Sequence, residues 1–290
     1  MDAAPRSKIE VRRPRFDWTA TPLHWVGGDV QTTHTLNCLH LLLPAGERWL
    51  IDVFGRAAPL ITDHELRGDV RALMGQESTH SRAHDAALDQ MAAHGLDASR
   101  FKRRVDRAFG LFGGDRLFGQ ALSPALTRAW LLRRVAALAA IEHFTALLGD
   151  WIVERSGALD RPDVDPVMLD LLRWHGAEEI EHRSVAFDVH RHLGGTHRDR
   201  VVTMLIAVPT VLAMWLGGLD FLLRHDPTLE GRRRRISVPS FVRAGREGRL
   251  PTVGYVLRGI AAYLRPGFHP SQRGNTERAL AYLATSRAVG

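Results

Sequence analysis

The sequence contains a single cysteine, Cys38, among 290 residues. That excludes an internal disulfide and a thiolate metal site, suits a reducing compartment, and leaves His, Glu and Asp as the available metal ligands. Strand signals are also scarce, because few stretches alternate apolar with polar residues. The opening "MDAAPRSKIEVRRPRFDW" has charges but no apolar core of the length a secretory signal needs, so a cytoplasmic location is expected. Basic runs occur at "FKRRVDR", Phe101 to Arg107, and "GRRRR", Gly231 to Arg235. They lack interleaved aromatics and any nucleic-acid-binding module, so they read as solvated faces and no nucleic-acid partner is expected.

What the chain does have is apolar residues, 45% of its length, which is enough for one large core. They recur at helical spacing over long stretches. The spacing predicts an all-α fold with helices at about 31–43, 47–60, 63–94, 97–110, 123–156, 165–193, 199–224, 251–264 and 274–287. Ser123 followed by Pro124 marks one start and "DVDP" another, while Gly95 and the "LGG" at Leu193 to Gly195 mark stops. Residues 1–195 read as a helical bundle with an N-terminal extension, and 196–290 as accessory helices packed on the same domain. One run, "VVTMLIAVPTVLAMWLGGL" from Val201 to Leu219, carries no charge and approaches the length of a membrane span. Pro209 and the Gly217–Gly218 pair interrupt it. A buried core helix or a homodimer face has the same pattern, and so does membrane insertion or peripheral association.

Against this apolar background, "WHGAEEIEHRSVAF", Trp174 to Phe187, concentrates three glutamates and two histidines. At about 100° per residue with His175 as origin, Glu179 falls at about 40° and His182 at about −20°, in the middle of the stripe formed by Met168, Leu171, Leu172, Ala186 and Val189. Glu178 sits on the edge of that stripe, placed to bond a histidine of an adjacent helix. Glu181 points away, toward solvent or a neighbouring helix. A carboxylate amid an apolar stripe is expensive unless its charge is compensated, and a metal ion compensates it. Glu-x-x-His puts an oxygen and an imidazole one turn apart, both able to reach one ion. The same spacing recurs at Glu77 and His80, again mid-stripe. Glu142 is the acid on the apolar face of a third long helix, and Glu47 is the upstream candidate, placed at a helix start by Pro44 and Gly46. Asp52, His40 and His34 are fallback ligands, and His84 reads as a partner of a ligand. Two Glu-x-x-His helices with one inward Glu from each of two others form the ligand set of di-metal carboxylate bundles.

On these residues the sequence resembles the ferritin-like di-iron carboxylate superfamily over about residues 40–190, which implies a four-helix bundle core with additional helices. His175-x-x-x-Glu179-x-x-His182 is similar to the fourth ligand helix of the p-aminobenzoate N-oxygenase family, where a third histidine joins the usual two. "HWVGGDVQTTHTLN", "PAGERW", "GQESTHSRAH", "AEEIEHRSVAFDV" and "YLRPGFHP" also resemble the bacterial family labelled predicted metal-dependent hydrolase, from about His24 to Pro270. The resemblance implies two iron ions, or Mn or Zn in their place, held by Glu47, Glu77, His80, Glu142, His175, Glu179 and His182, with the four glutamates central to catalysis. It implies O2-dependent oxidation of a small organic substrate, amine N-oxygenation being the sharpest version, with electrons from a donor protein or a small reductant. Two other readings stay open: a two-metal hydrolase that works without O2 and with Zn2+, and a non-catalytic metal-binding helical protein.

Overall fold

The computed structural model describes residues 8–117 and 120–289. In chain order the elements are α1 (Val30–Ala57), α2 (His64–Ala93), α3 (Ser99–Leu111), a hairpin of β1 (Arg116–Leu117) and β2 (Gln120–Ala121), α4 (Pro124–Glu154), α5 (Pro166–His182), α6 (Val185–His192), α7 (His197–His225), α8 (Val238–Arg246), α9 (Val253–Tyr263) and α10 (Thr276–Leu283). The protein is all-α, and the antiparallel hairpin is the one sheet among the described residues. Local chemistry sets the helix starts: the Asp29, Asp63 and Asp165 carboxylates accept from the first-turn amides of α1, α2 and α5, and Thr196 and Asp199 form a reciprocal capping box on α7.

Four long helices close a ring, α1 on α2, α2 on α5, α5 on α4 and α4 on α1, which makes the centre a four-helix bundle. Around it, α3 and α7 lie on α1, α7 and α9 on α4, and α10 on α5. One buried apolar cluster runs from Trp25 through Trp174 to Leu283, so the C-terminal helices share the core of the bundle.

Several expected boundaries are corrected. The helices expected at about 31–43 and 47–60 are a single helix, α1, which passes through Pro44. Proline removes one intrahelical hydrogen bond, but Pro44 is buried and the Ser81 hydroxyl of α2 donates to its carbonyl, so packing on α2 outweighs the local penalty. Glu47 is therefore mid-helix rather than at a helix start. The helix expected at about 165–193 is broken into α5 and α6 at Arg183 and Ser184. There the Arg183 guanidinium donates to the carbonyl of Ile180, a group that the next helical turn otherwise uses, and also to Thr276 at 3.0 Å. Helix α8 and the hairpin were not expected. Nor is the Val201–Leu219 run a fully buried core helix, because Leu205 and Ile206 are each 61% exposed.

Helices α4 and α5 meet backbone to backbone at Gly149 and Gly176. A Cβ on Gly149 would overlap the Gly176 carbonyl oxygen, and one on Gly176 would stand 2.5 Å from the Ile152 Cγ2 atom. Gly149→Ala is accordingly expected to lower the stability of the chain by about 1–3 kcal/mol through forced separation of α4 from α5. Equilibrium denaturation reads this out, and an unchanged midpoint would show that the two backbones do not need their close approach.

Candidate metal centre

All seven side chains singled out by periodicity meet inside the bundle. Glu47 comes from α1, Glu77 and His80 from α2, Glu142 from α4, and His175, Glu179 and His182 from α5, and every one is buried. They fall into overlapping groups whose donor atoms lie within 4.8 Å of one another: Glu47 with Glu77 and His80, Glu77 with Glu142 and His182, and His80 with His175 and Glu179. Glu77 and His80 each belong to two of these groups, and Glu77 is the carboxylate that links the two groups holding a second glutamate.

Hydrogen bonds fix which nitrogen of each ring faces the centre. The Gln76 Nε2 donates to the Glu10 carbonyl at 2.9 Å and to Glu181 Oε2 at 2.6 Å, so its Oε1 accepts from His182 Nδ1 at 2.8 Å. His182 Nε2 is left pointing at carboxylate oxygens of Glu77, Glu142 and Glu179, 3.2–3.3 Å away. Likewise, Glu178 Oε2 accepts from His80 Nε2 at 2.9 Å, which turns His80 Nδ1 inward toward Glu77 and Glu179. A ligand histidine commonly donates its outer N–H to a carboxylate or amide oxygen in this way, with the inner lone pair free for a cation. His175 is tied at Nε2 to Glu179 (2.7 Å) and at Nδ1 to His84 (2.5 Å), and His84 continues to His40 at 2.7 Å.

The charge at this point is unbalanced by the protein alone. Burial, reinforced by neighbouring carboxylates, pushes Glu47, Glu77 and Glu142 above the usual carboxylate range. Burial would also raise Glu179, but His182 and His175 overcome it and hold Glu179 well below that range. Burial depresses His175 to about 4. Both Glu47 oxygens, Glu77 Oε1, Glu142 Oε2 and His80 Nδ1 are buried without a hydrogen bond. Oxygen and nitrogen donors left bare around one point fit divalent cations of the Fe, Mn or Zn type.

A cleft opens beside the carboxylates. Glu47, Glu77, Glu142 and Glu179 form its polar floor, and its walls are apolar side chains of α1, α4 and α7, with Phe109 of α3. Thr145 also lines it, its hydroxyl donating to the Glu142 carbonyl at 3.1 Å. A small apolar molecule placed there would meet the carboxylate cluster with little surrounding water.

Other expectations are sorted by the same geometry. Glu181 does not reach solvent: it is 7% exposed and bonds Gln76 of α2 and Arg12. Gln76 and Arg12 were missed. Gln76 adjoins Glu77 and faces α5, a position a helical wheel could have flagged, whereas Arg12 lies 166 residues from its partner Glu178 and left no local signal. Of the fallback ligands, His40 touches His84 rather than the carboxylates, Asp52 pairs with Arg56, and His34 joins His24 on Asp226. That last group closes on itself. Trp25 Nε1 donates to Asn37 Oδ1 at 2.8 Å, which turns the Asn37 amide toward His34 Nδ1 and makes His34 Nε2 the donor to Asp226.

No curated protein and no solved structure matches the chain. The model of the family described as predicted metal-dependent hydrolase matches residues 10–274, nearly the whole length, and on that match the chain belongs to this family.

Proposed function

We propose that the protein is a two-metal enzyme that hydrolyses a small, largely apolar organic substrate bound in the cleft between α1, α4 and α7. The carrying observation is the convergence of four glutamates and three histidines, with bare donor atoms, on the floor of that cleft. Family membership supplies the reaction class. Glu47, Glu77 and His80 would hold one ion and Glu77, Glu142 and His182 the other, with Glu179 and His175 completing the set. Divalent ions at these positions supply Lewis acidity and lower the pKa of water. The chain's own part is to hold the imidazoles with their inner nitrogens free, through Glu178 and Gln76, and to keep bulk water from the reacting bond with the leucines of the cleft wall.

A second reading, O2-dependent oxidation by a di-iron centre of ferritin-like type, is favoured by the donor set itself. Glutamates and imidazoles from helices differ from the Asp- and His-rich loops of many two-metal hydrolases, and the extra His175 suits amine N-oxygenation. That reading requires iron, O2 and an electron donor. Metal content of anaerobically purified protein, followed by assay of activated esters of graded chain length, separates the two. Hydrolysis is expected to persist without O2 and after Zn2+ replacement, and to stop on chelation. A ferrous protein that takes up O2 with a transient visible absorption, and cleaves no ester, overturns the hydrolase in favour of the oxidase. A purified protein free of any metal would defeat both.

A further inference from the structure

We infer that the exposed face of α7 docks the protein on an anionic lipid bilayer, and that a lipophilic substrate passes from the bilayer into the cleft beside it. The docking stands on the surface alone, whereas the delivery of substrate rests on the catalytic reading above. Two helices of the described chain are long and apolar enough to cross a membrane: α4, whose most apolar window is 61% buried in the bundle, and α7, whose window is only 22% buried. Along α7, Leu205 and Ile206 are each 61% exposed, Leu212 56% and Leu216 45%. At about 100° per residue Leu205, Leu212 and Leu216 form one stripe, while Trp215 lies about 80° and Val211 about 120° from Leu205, toward the buried side of the helix. Val211 and Trp215 line the cleft, so the exposed stripe and the cleft lie on adjoining sides of the same helix.

The helix is not free to cross a bilayer. Its buried side is anchored by Met204 and Leu222, both fully buried, and by Trp215 Nε1 donating to the Thr35 carbonyl at 3.1 Å. It is placed to lie flat at an interface instead. Beside it runs α3, joined to α7 through Phe101 and Phe221, whose rings are 5.4 Å apart. Helix α3 carries exposed Arg100, Arg103, Arg104 and Arg107, and it ends on two exposed apolar side chains, Leu111 and the following Phe112. Its Phe109 reaches the cleft. Apolar groups available for insertion thus flank the cleft on two sides, with arginines long enough to reach lipid phosphates nearby. Charge decides between a bilayer and a second copy. Each chain carries a formal +7, so two copies repel, while an anionic surface attracts.

The test is co-sedimentation of the full chain with vesicles of phosphatidylcholine alone and with phosphatidylglycerol added. Pelleting with the anionic vesicles is expected, and it weakens as salt is raised. A Leu205→Glu, Leu212→Glu double variant should lower the bound fraction constant by about tenfold or more, since it removes two inserted side chains. Leu257→Glu on α9, where Leu257 is 58% exposed, should leave it unchanged. Unfolding midpoints and metal content of the variants confirm that the fold is intact. The proposal is overturned if the wild type does not pellet with either vesicle or the double variant pellets equally well. It is also overturned if the wild type is a dimer that the double variant dissociates, which would assign the face to a second copy. Glu77→Ala should still pellet while losing metal, so failure of docking and failure of the metal centre give different results.

Discussion

Replacing Glu77 with alanine is expected to remove both metal ions, whereas Glu47→Ala and Glu142→Ala each remove one. The asymmetry follows from sharing. Glu47 and Glu142 each enter only one of the two groups that Glu77 links, those completed by His80 and by His182. Losing a carboxylate from one position leaves the other with its glutamates and histidine, while losing the shared one leaves each position short and brings two like charges closer to being unscreened. Elemental analysis after equilibrium dialysis measures the stoichiometry, and hydrolysis by Glu77→Ala should fall to that of chelated wild type. Glu77→Gln adds a check that does not depend on metal. Burial raises the Glu77 carboxyl above its unfolded value, so in chelated protein the ionised group opposes folding at neutral pH. That penalty is full above the folded pKa and vanishes below the ordinary Glu pKa. Chelated Glu77→Gln should therefore unfold at a higher temperature than chelated wild type at pH 7, with the gap closing on acidification. Retention of both ions by Glu77→Ala would refute the sharing, and loss of both ions by Glu47→Ala would move it to another carboxylate.

How much of this was readable beforehand depends on the range of the interaction. The helical period aligned Glu77, Glu142, Glu179 and His182 with leucines and valines, and a helix whose apolar stripe faces a bundle must carry such residues inward. That argument needs only one helix at a time, and it located the cluster. It failed where a second element decides the outcome. Pro44 reads as a helix breaker in isolation, yet contact with α2 carries α1 through it. Glu181, angled away from the stripe, was read as facing solvent or a neighbouring helix. A wheel gives its direction but does not choose between those two; the neighbouring helix α2 meets it through Gln76, as one of them had it, and the N-terminal segment adds Arg12. Similarly, α5 ends at His182, beside an Arg183 side chain that reaches back to the Ile180 carbonyl, a contact that no periodicity encodes. The exposed stripe of α7 was ambiguous for the same reason: composition alone does not say which neighbour, if any, lies against it.

Arg12→Ala is expected to destabilise the protein by about 3–5 kcal/mol, because it removes the one guanidinium held between two buried carboxylates. Arg12 reaches Glu178 Oε1 at 3.0 Å and grips both oxygens of Glu181 at 2.9 and 3.1 Å, and both carboxylate side chains are fully buried. Deleting one member of such a cluster leaves charges that neither water nor another cation reaches. The damage should not stop at stability. Glu178 accepts the outer N–H of His80, and Glu181 fixes the Gln76 amide that accepts the outer N–H of His182. One arginine outside the bundle thus steadies both Glu-x-x-His motifs, and its loss is expected to weaken metal binding by about 10–100-fold, the usual effect of disturbing the groups that orient metal ligands. Arg12→Lys keeps the charge but not the two-pronged grip on Glu181, so it should restore most of the stability and only part of the metal affinity. Denaturation midpoints of chelated protein and competition titration with a metal chelator measure the two effects separately. A change in stability within about 0.5 kcal/mol for Arg12→Ala would mean that Glu178 and Glu181 are not held as an ionised pair. Normal metal affinity combined with lost stability would reduce Arg12 to a structural clamp with no hold on the histidines.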